Sequence, residues 1–184
     1  MKKHMMFLLF TLIIAGTGCN HTSDSNQTRL YKKAFNYVKS SVKAQIFLKE
    51  QTDADIGCIT VSDQVVFLEI TSFFEHFAGN KEMNNNTGSQ LLDSLESIDR
   101  KRSFESYRDE KLKEMADCKK SNAILFFSKP FNGQLMAELF YNQKSDQSPS
   151  YSNVSRFNES LMFLFSFDKS GSIEEVKTTK IIYD

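Results

Sequence analysis

After the N-terminal residues, hydrophobic residues recur among polar ones with the period of an α-helix. Between residues 29 and 51 the apolar side chains are three or four positions apart, and the set consists of Leu30, Ala34, Phe35, Val38, Val42 and Ile46. This spacing predicts one long amphipathic helix with a single buried stripe. Residues 56–61 and 65–70 then alternate in polarity on either side of the polar residues 62–64, and this pattern predicts a β-hairpin.

Helical signals return after the predicted hairpin. Ser72 and Glu75 have the spacing of a capping box, in which each side chain satisfies a free backbone N–H at the start of a helix. We therefore expect a short helix over residues 73–78, closed by Gly79. Two further stretches of helical period follow and form a helical insert, built either of two helices or of one bent helix. The insert covers residues 91–118, with a charged run at 99–102.

The last third of the chain changes to a period of two, which is typical of strands. Residues 123–128 and 134–142 flank a turn that contains Asn132 and Gly133, a strong local signal for a hairpin. A further strand carries four large apolar residues on one face: Leu161, Phe163, Phe165 and Phe167. Residues 168–171 turn the chain into a final strand over residues 172–183.

This order of elements predicts an α+β domain. A long N-terminal helix and a helical insert would pack on one face of an antiparallel sheet whose last four strands follow one another as hairpins. The order resembles that of cystatin-like and NTF2-like folds, in which a curved sheet wraps a long helix, but the likeness is an analogy and carries no function.

The chain is rich in phenylalanine, with 17 residues. Core packing explains most of them, because a layer of helices would cover the strand that carries Phe163, Phe165 and Phe167. Phe126 and Phe140, with Phe127 and Phe131, fall on mixed faces of the predicted strands. If helices cover only one side, some of these side chains would line a groove or a partner site.

The first residues have the pattern of an export signal. Two lysines precede an apolar run at residues 5–15, and small residues follow. A helix that crosses a bilayer needs about 20 apolar residues, whereas a shorter run behind a basic start is typical of a secretory signal.

Gly16, Thr17, Gly18 and Cys19 resemble the lipobox of bacterial lipoproteins, in which a small residue precedes a cysteine that is acylated and becomes the new N-terminus. The resemblance implies cleavage after Gly18 and attachment of fatty chains, palmitate among them, to Cys19. In that family Asn20, rather than aspartate, suggests the outer membrane of a Gram-negative cell, facing the periplasm. The alternative is a plain secretory signal cut near Gly18, with Cys19 left as an ordinary thiol.

The resulting domain organisation has three parts. Residues 1–18 form the signal peptide, residues 19–28 form a lipidated flexible tether, and residues 29–184 form a single globular domain. The tether prediction rests on nine consecutive polar residues without periodicity, which reach at most about 30 Å. The folded part would therefore lie close to the bilayer.

The balance of basic and acidic residues limits the kinds of partner that the chain is expected to bind. Lys and Arg number 23, as do Asp and Glu, so no basic excess favours nucleic acid. Without residues 1–18, which hold two lysines and no acid, the chain has 21 basic and 23 acidic side chains and a net charge of −2. The overall charge therefore gives no basis for a membrane patch driven by electrostatics.

Residues suited to catalysis or metal binding are few. The mature chain has only His21 and His76, and no nucleophile elbow or zinc-binding helix motif accompanies them. Acidic clusters that begin at Asp53 and Asp168 lack the glycine and glutamate positions of a calcium loop, so we interpret them as turns. We therefore expect no cofactor, no metal and no enzymatic activity.

Cys58 and Cys118 remain once Cys19 is assigned to lipid. An oxidising envelope allows the two thiols to form a disulfide, and the alternative is two buried free thiols that act as small hydrophobic residues.

These features predict a lipid-anchored envelope protein that binds a protein partner. The partner would belong to an envelope complex, or would be a toxin blocked by an immunity-type protein. The alternative is a small-ligand-binding module with a pocket between the first helix and the curved sheet, near Phe35, Val38, Leu139 and Phe163.

Overall fold

A computed structural model describes residues 21–52, 57–79, 85–142, 150–156 and 158–183. In chain order, its elements are α1 (His21–Ser40), α2 (Val42–Gln51), β1 (Thr60–Val65), the 3₁₀ helix η1 (Ile70–Phe73), α3 (Phe74–Ala78), α4 (Asn85–Arg102), β2 (Tyr107–Arg108), the 3₁₀ helix η2 (Glu110–Met115), β3 (Ala123–Phe127), β4 (Gln134–Tyr141), α5 (Tyr151–Ser155), β5 (Glu159–Phe167) and β6 (Ile173–Ile182). The α+β class is therefore confirmed.

The sheet has the strand order β2-β1-β3-β4-β5-β6. Its last four strands pair as successive antiparallel hairpins, as predicted. Asn132 and Gly133 form the β3–β4 turn with φ angles of 49° and 74°. Two successive positive φ angles match the right-handed twist of the flanking strands, and asparagine and glycine tolerate them best.

The N-terminal helix is divided, and it begins earlier than predicted. Ser41 has extended backbone angles, and its Oγ accepts a hydrogen bond from the Ala44 N–H, so it caps a new helix, α2. At the other end, α1 begins at His21, so most of the predicted tether is helical. Gln27 donates to Tyr31 Oη at 3.0 Å, and Arg29 donates to Asn26 at 2.9 Å. An apolar period does not reveal these contacts between residues one helical turn apart.

The division at Ser41 changes which residues are buried. The predicted stripe is buried along α1, but Val42 and Ile46 of α2 are 66% and 53% exposed. In α2 the buried residues are Ala44, Phe47 and Leu48. The new helix presents a different face to the core because the Ser41 cap sets where it starts. The spacing of apolar residues in α1 does not continue into it.

The hairpin predicted over residues 56–70 is wrong. Residues 62–64 lie inside β1, which pairs in parallel with β3 and antiparallel with β2. Burial alternates along β1, and Asp63 occupies a buried position. Its carboxylate pairs with Arg108 at 3.1 Å and with Lys113 at 2.8 Å, so a polar residue is accommodated where the sequence indicated a turn.

The capping box predicted at Ser72 is also absent, because neither η1 nor α3 has a side-chain cap from its own N-terminus. Instead, the Asp99 carboxylate of α4 accepts hydrogen bonds from the N–H groups of Ile70 and Thr71 at 2.8 and 3.1 Å. Gly79 closes α3 with φ 65°, as predicted.

The prediction of a helical insert is confirmed for its first part only. Its first part forms α4, but the second part contains the short strand β2 and the 3₁₀ helix η2. Asp109 starts η2 by accepting a hydrogen bond from the Lys111 N–H, and Leu112 is its buried residue.

Hydrophobic residues are buried on both faces of the sheet. One cluster joins α1 and α2 to the face that carries Phe127, Phe163 and Phe165. On the other face, side chains from η1, α4 and α5 pack with Phe126 and Phe140. Both of these residues and Phe127 are fully buried, so they do not line a groove. Phe131 is partly buried.

Candidate functional site

Gly18 and Cys19 lie outside the described residues. The other two cysteines are joined, since Cys58 and Cys118 form a disulfide with a Cα–Cα distance of 6.3 Å. The bond links the segment before β1 to the segment after η2 and closes a sequence separation of 60 residues.

The remaining candidate residues have structural contacts. His76 of α3 places Nε2 2.6 Å from the carbonyl oxygen of Thr178, so this nitrogen donates a hydrogen bond to the backbone of β6. Asp168 accepts hydrogen bonds from the N–H groups of Ser170 and Ser172, each at 2.8 Å, which confirms turn chemistry there. The cluster at Asp53 lies outside the described residues. Over the described part of the chain, no three metal-binding side chains come together.

A buried glutamate forms a polar cluster that sequence analysis missed. Glu138 lies in the middle of β4 with no exposed surface. Its Oε1 accepts from Ser160 Oγ and from Tyr183 Oη at 2.6 Å, and Tyr151 Oη lies 2.7 Å from Oε2. A charged residue within an apolar strand was the available signal, because such a side chain is buried only with polar partners.

The cluster closes into a ring. The two tyrosine hydroxyls lie 3.0 Å apart, so four contacts join four polar side chains. Ser160, Tyr151 and Tyr183 provide three protons, and a protonated Glu138 provides the fourth. When Tyr151 Oη donates to Oε2, the contact between the two tyrosine hydroxyls has no proton. A protonated carboxyl would instead donate to Tyr151, and Tyr151 to Tyr183, so that each contact has one proton. An ionised carboxylate would leave one contact without a proton.

The electrostatics agree with this proton count. Burial raises the pKa of Glu138, and the hydrogen bonds from Ser160, Tyr183 and Tyr151 oppose that rise only in part. Burial and the nearby carboxyl also raise the pKa of both tyrosines. Because the carboxyl and Ser160 are shielded from solvent, the ring fastens α5 and the end of β6 to the sheet and offers no open site to a substrate.

The exposed surface beside the α1–α2 break is the candidate functional site. A shallow hollow of about 330 Å³ lies there between the two helices and β6, and it is lined by Tyr37, Ser40, Ser41, Val42, Lys43, Val176 and Thr178. Ile46 lies one helical turn beyond Val42 on the same side of α2. We call the surface formed by Tyr37, Val42, Ile46, Val176 and Thr178 the junction surface.

The junction surface borders an outer strand of the sheet. Among the residues that the structure describes, β6 pairs with β5 on one side and has no strand on the other. The Thr178 carbonyl points away from β5, toward His76, and alternate residues of an antiparallel strand share this direction. Val176 and Lys180 therefore also direct their backbone N–H and C=O groups outward, on either side of the carbonyl that His76 contacts.

The space predicted to hold a small ligand is occupied by side chains. Phe35, Val38, Leu139 and Phe163 belong to one buried cluster, with exposures of 0 to 2%. No observation in the described part of the chain favours a pocket among these four residues, so ligand binding there stays a prediction without support.

None of the described helices is long and apolar enough to cross a membrane. No known protein family matches the chain, and no curated protein or solved structure is significantly similar to it.

Proposed function

We propose that the chain is a lipid-anchored protein of the bacterial envelope whose folded domain binds a protein partner through the junction surface. Cleavage after Gly18 would leave Cys19 as the acylated N-terminus. The lipobox-like residues support the anchor. The disulfide between Cys58 and Cys118 supports an address outside the cytoplasm, because disulfides persist in oxidising compartments.

The observation that carries the proposal is the exposure of aliphatic and aromatic side chains at the junction surface. Val42 is 66%, Ile46 53% and Tyr37 38% exposed, and the three are grouped beside the hollow. The other exposed large hydrophobic residues of the described chain lie outside the junction surface: Phe77, Leu92, Tyr107 and Ile182. Apolar side chains grouped beside a hollow are typical of the centre of a protein interface, where aromatic anchors carry much of the binding energy.

The adjoining edge of β6 indicates how a partner would bind. An extended segment that pairs with an outer strand gains main-chain hydrogen bonds and places alternate side chains over the neighbouring surface. A segment paired with Val176 would place an apolar side chain over the hollow. The His76 contact occupies the Thr178 carbonyl, so such a segment pairs on one side of Thr178 and does not extend to Lys180.

The test compares two charge insertions. In Val42→Asp/Ile46→Asp the junction surface gains two charges, whereas Leu92→Asp places one on α4, where Leu92 is 40% exposed. Each variant is captured from detergent-solubilised envelopes, and bound proteins are quantified by mass spectrometry. We expect a stoichiometric partner with the native chain and with Leu92→Asp, and at least a tenfold loss with the double variant.

Two results would contradict the proposal. The first is the absence of any stoichiometric partner for the native chain. The second is equal capture by all three proteins, which would place the binding surface elsewhere on the domain. Thermal unfolding of each variant serves as the control for folding.

A further inference from the structure

One end of the domain is formed by the start of α1 and two turns of the sheet. Tyr31 Oη donates to the Ser128 carbonyl at 3.1 Å, and Lys33 Nζ donates to the Gly171 carbonyl at 2.5 Å. The two turns also meet, because the Phe167 N–H donates to the Gly133 carbonyl at 2.8 Å. We call residues 26–33, 128–133 and 168–172 together the turn end.

The turn end is basic. Its three segments contain five basic residues and one acidic residue. The basic residues are Arg29, Lys32, Lys33, Lys129 and Lys169. The single acid, Asp168, is held by the hydroxyl and N–H groups of its own turn. The chain without residues 1–18 has a net charge of −2. Positive charge is therefore concentrated at this end, although the net charge does not show it.

Three acidic residues border this end, and one of them, Asp24, precedes it in α1. Glu174 and Glu175 follow the turn at the start of β6, and the Glu175 carboxylate is paired with Lys177. Both are exposed. Lys177 balances Glu175. Three acidic residues, Asp24, Asp168 and Glu174, therefore stand against the five basic residues and leave a local excess of two positive charges.

The turn end is also the end nearest to the proposed anchor. Cys19 is two residues before His21, where α1 begins. At 1.5 Å per residue, the helix from His21 to Arg29 is about 12 Å long. Charges act over a further Debye length of about 8 Å. The opposite ends of the strands are about 30 Å further away, the length of nine residues in β5.

We propose that the turn end faces the bilayer and binds the headgroups of anionic phospholipids. The direction of the bilayer in this proposal rests on the proposed lipidation of Cys19. Each basic residue near an anionic surface strengthens binding about fivefold, so this end orients the anchored domain. The junction surface, further along α1 and on α2, would then lie away from the lipid and remain open to a partner.

The test uses the full mature chain carrying Cys19→Ser, so that no fatty chain contributes to binding. Its sedimentation with phosphatidylcholine vesicles is compared with sedimentation with phosphatidylcholine vesicles that contain phosphatidylglycerol. The charge-reversal variant is Lys129→Glu/Lys169→Glu. The matched control is Lys119→Glu/Lys120→Glu, an exposed pair that precedes β3 at the opposite end of the strands.

We expect binding only to the vesicles with phosphatidylglycerol, and we expect added salt to weaken it. Reversal at Lys129 and Lys169 should reduce binding more than tenfold, whereas the control pair should change it less than twofold. Equal binding to both vesicle types, or equal loss in both variants, would overturn the inference. The mass of Cys19 in the native protein tests the anchor separately, so the two failures are distinguishable.

Discussion

Replacing Glu138 with glutamine tests whether the buried ring contains a neutral carboxyl. Glutamine keeps an oxygen that accepts from Ser160 and Tyr183 and an N–H group that donates to Tyr151. In acid, where the native side chain is protonated in both the folded and unfolded states, Glu138→Gln should therefore change the free energy of unfolding little. Glu138→Ala removes the partner of the buried Ser160 hydroxyl and leaves the two tyrosine hydroxyls only their contact with each other, and at about 1 to 3 kcal/mol for each unsatisfied group it should cost a few kcal/mol.

The sign of the pH dependence follows from the raised pKa of Glu138. Above the ordinary glutamate pKa of 4.5, the unfolded chain releases this proton while the folded chain retains it. The folded state then binds more protons, so the native protein loses stability as the pH rises, by up to about 1.4 kcal/mol per pH unit. The loss ends at the folded-state pKa. Glu138→Gln lacks this contribution, so it should become more stable than the native protein as the pH rises.

The assay is urea unfolding of the native protein, Glu138→Gln and the exposed control Glu114→Gln, from about pH 4 to about pH 8. The difference between native protein and variant removes the pH dependence of the other carboxyl groups, among them Asp63, whose pKa is lowered by Lys113 and Arg108 despite its burial. A difference that stays constant with pH, or a native protein that gains on the variant as the pH rises, would refute the neutral carboxyl.

Three further predictions concern stability. Cys58→Ser/Cys118→Ser should lower the free energy of unfolding by up to about 4 kcal/mol, the idealised value for a loop of 60 residues; an unchanged denaturation midpoint would exclude this contribution. Gly133→Ala should cost about 1 kcal/mol because φ is +74° and the new Cβ would lie 3.3 Å from a carbonyl oxygen, whereas Gly88→Ala in α4, with open space around it, should stabilise by about 1 kcal/mol. Equal thermal shifts in the two alanine variants would contradict the turn geometry. Asp99→Ala removes the cap of η1 and leaves Arg102 of the buried ion pair with the Met136 sulfur but no carboxylate, so it should cost about 3 to 5 kcal/mol; a loss below 1 kcal/mol in urea unfolding would show that this pair contributes little.

Local signals predicted the last four strands. The period of two along residues 123–183 reflects side chains that point to opposite faces, and Asn132 with Gly133 marked a turn that few other residues can form. These signals are properties of neighbouring residues, so no knowledge of distant contacts was needed. The α+β class followed from them and from the helical period of α1.

Contacts between distant residues account for what the sequence pattern missed. Asp63 is tolerated inside β1 because Arg108 and Lys113 approach from elsewhere in the chain, and η1 is capped by Asp99 from α4. The ring at Glu138 likewise depends on side chains that come together only in the folded sheet. Periodicity carries no information on such partners.

The junction surface shows a further limit of pattern analysis. Val42 and Ile46 continue the apolar stripe of α1 in sequence, which predicts that they are buried, yet both are exposed. The cap at Ser41 restarts the helix and changes its buried face. A serine inside an apolar period was the available signal, but it does not determine how far the second helix is rotated.

The most direct test of the proposed anchor is the intact mass of the mature protein extracted from cell envelopes. We expect a chain that begins at Cys19 and carries the added mass of fatty acyl groups on that residue, with loss of the membrane-bound form in Cys19→Ser. A mature chain with an unmodified Cys19, or an N-terminus at another residue, would contradict the lipid-anchored function.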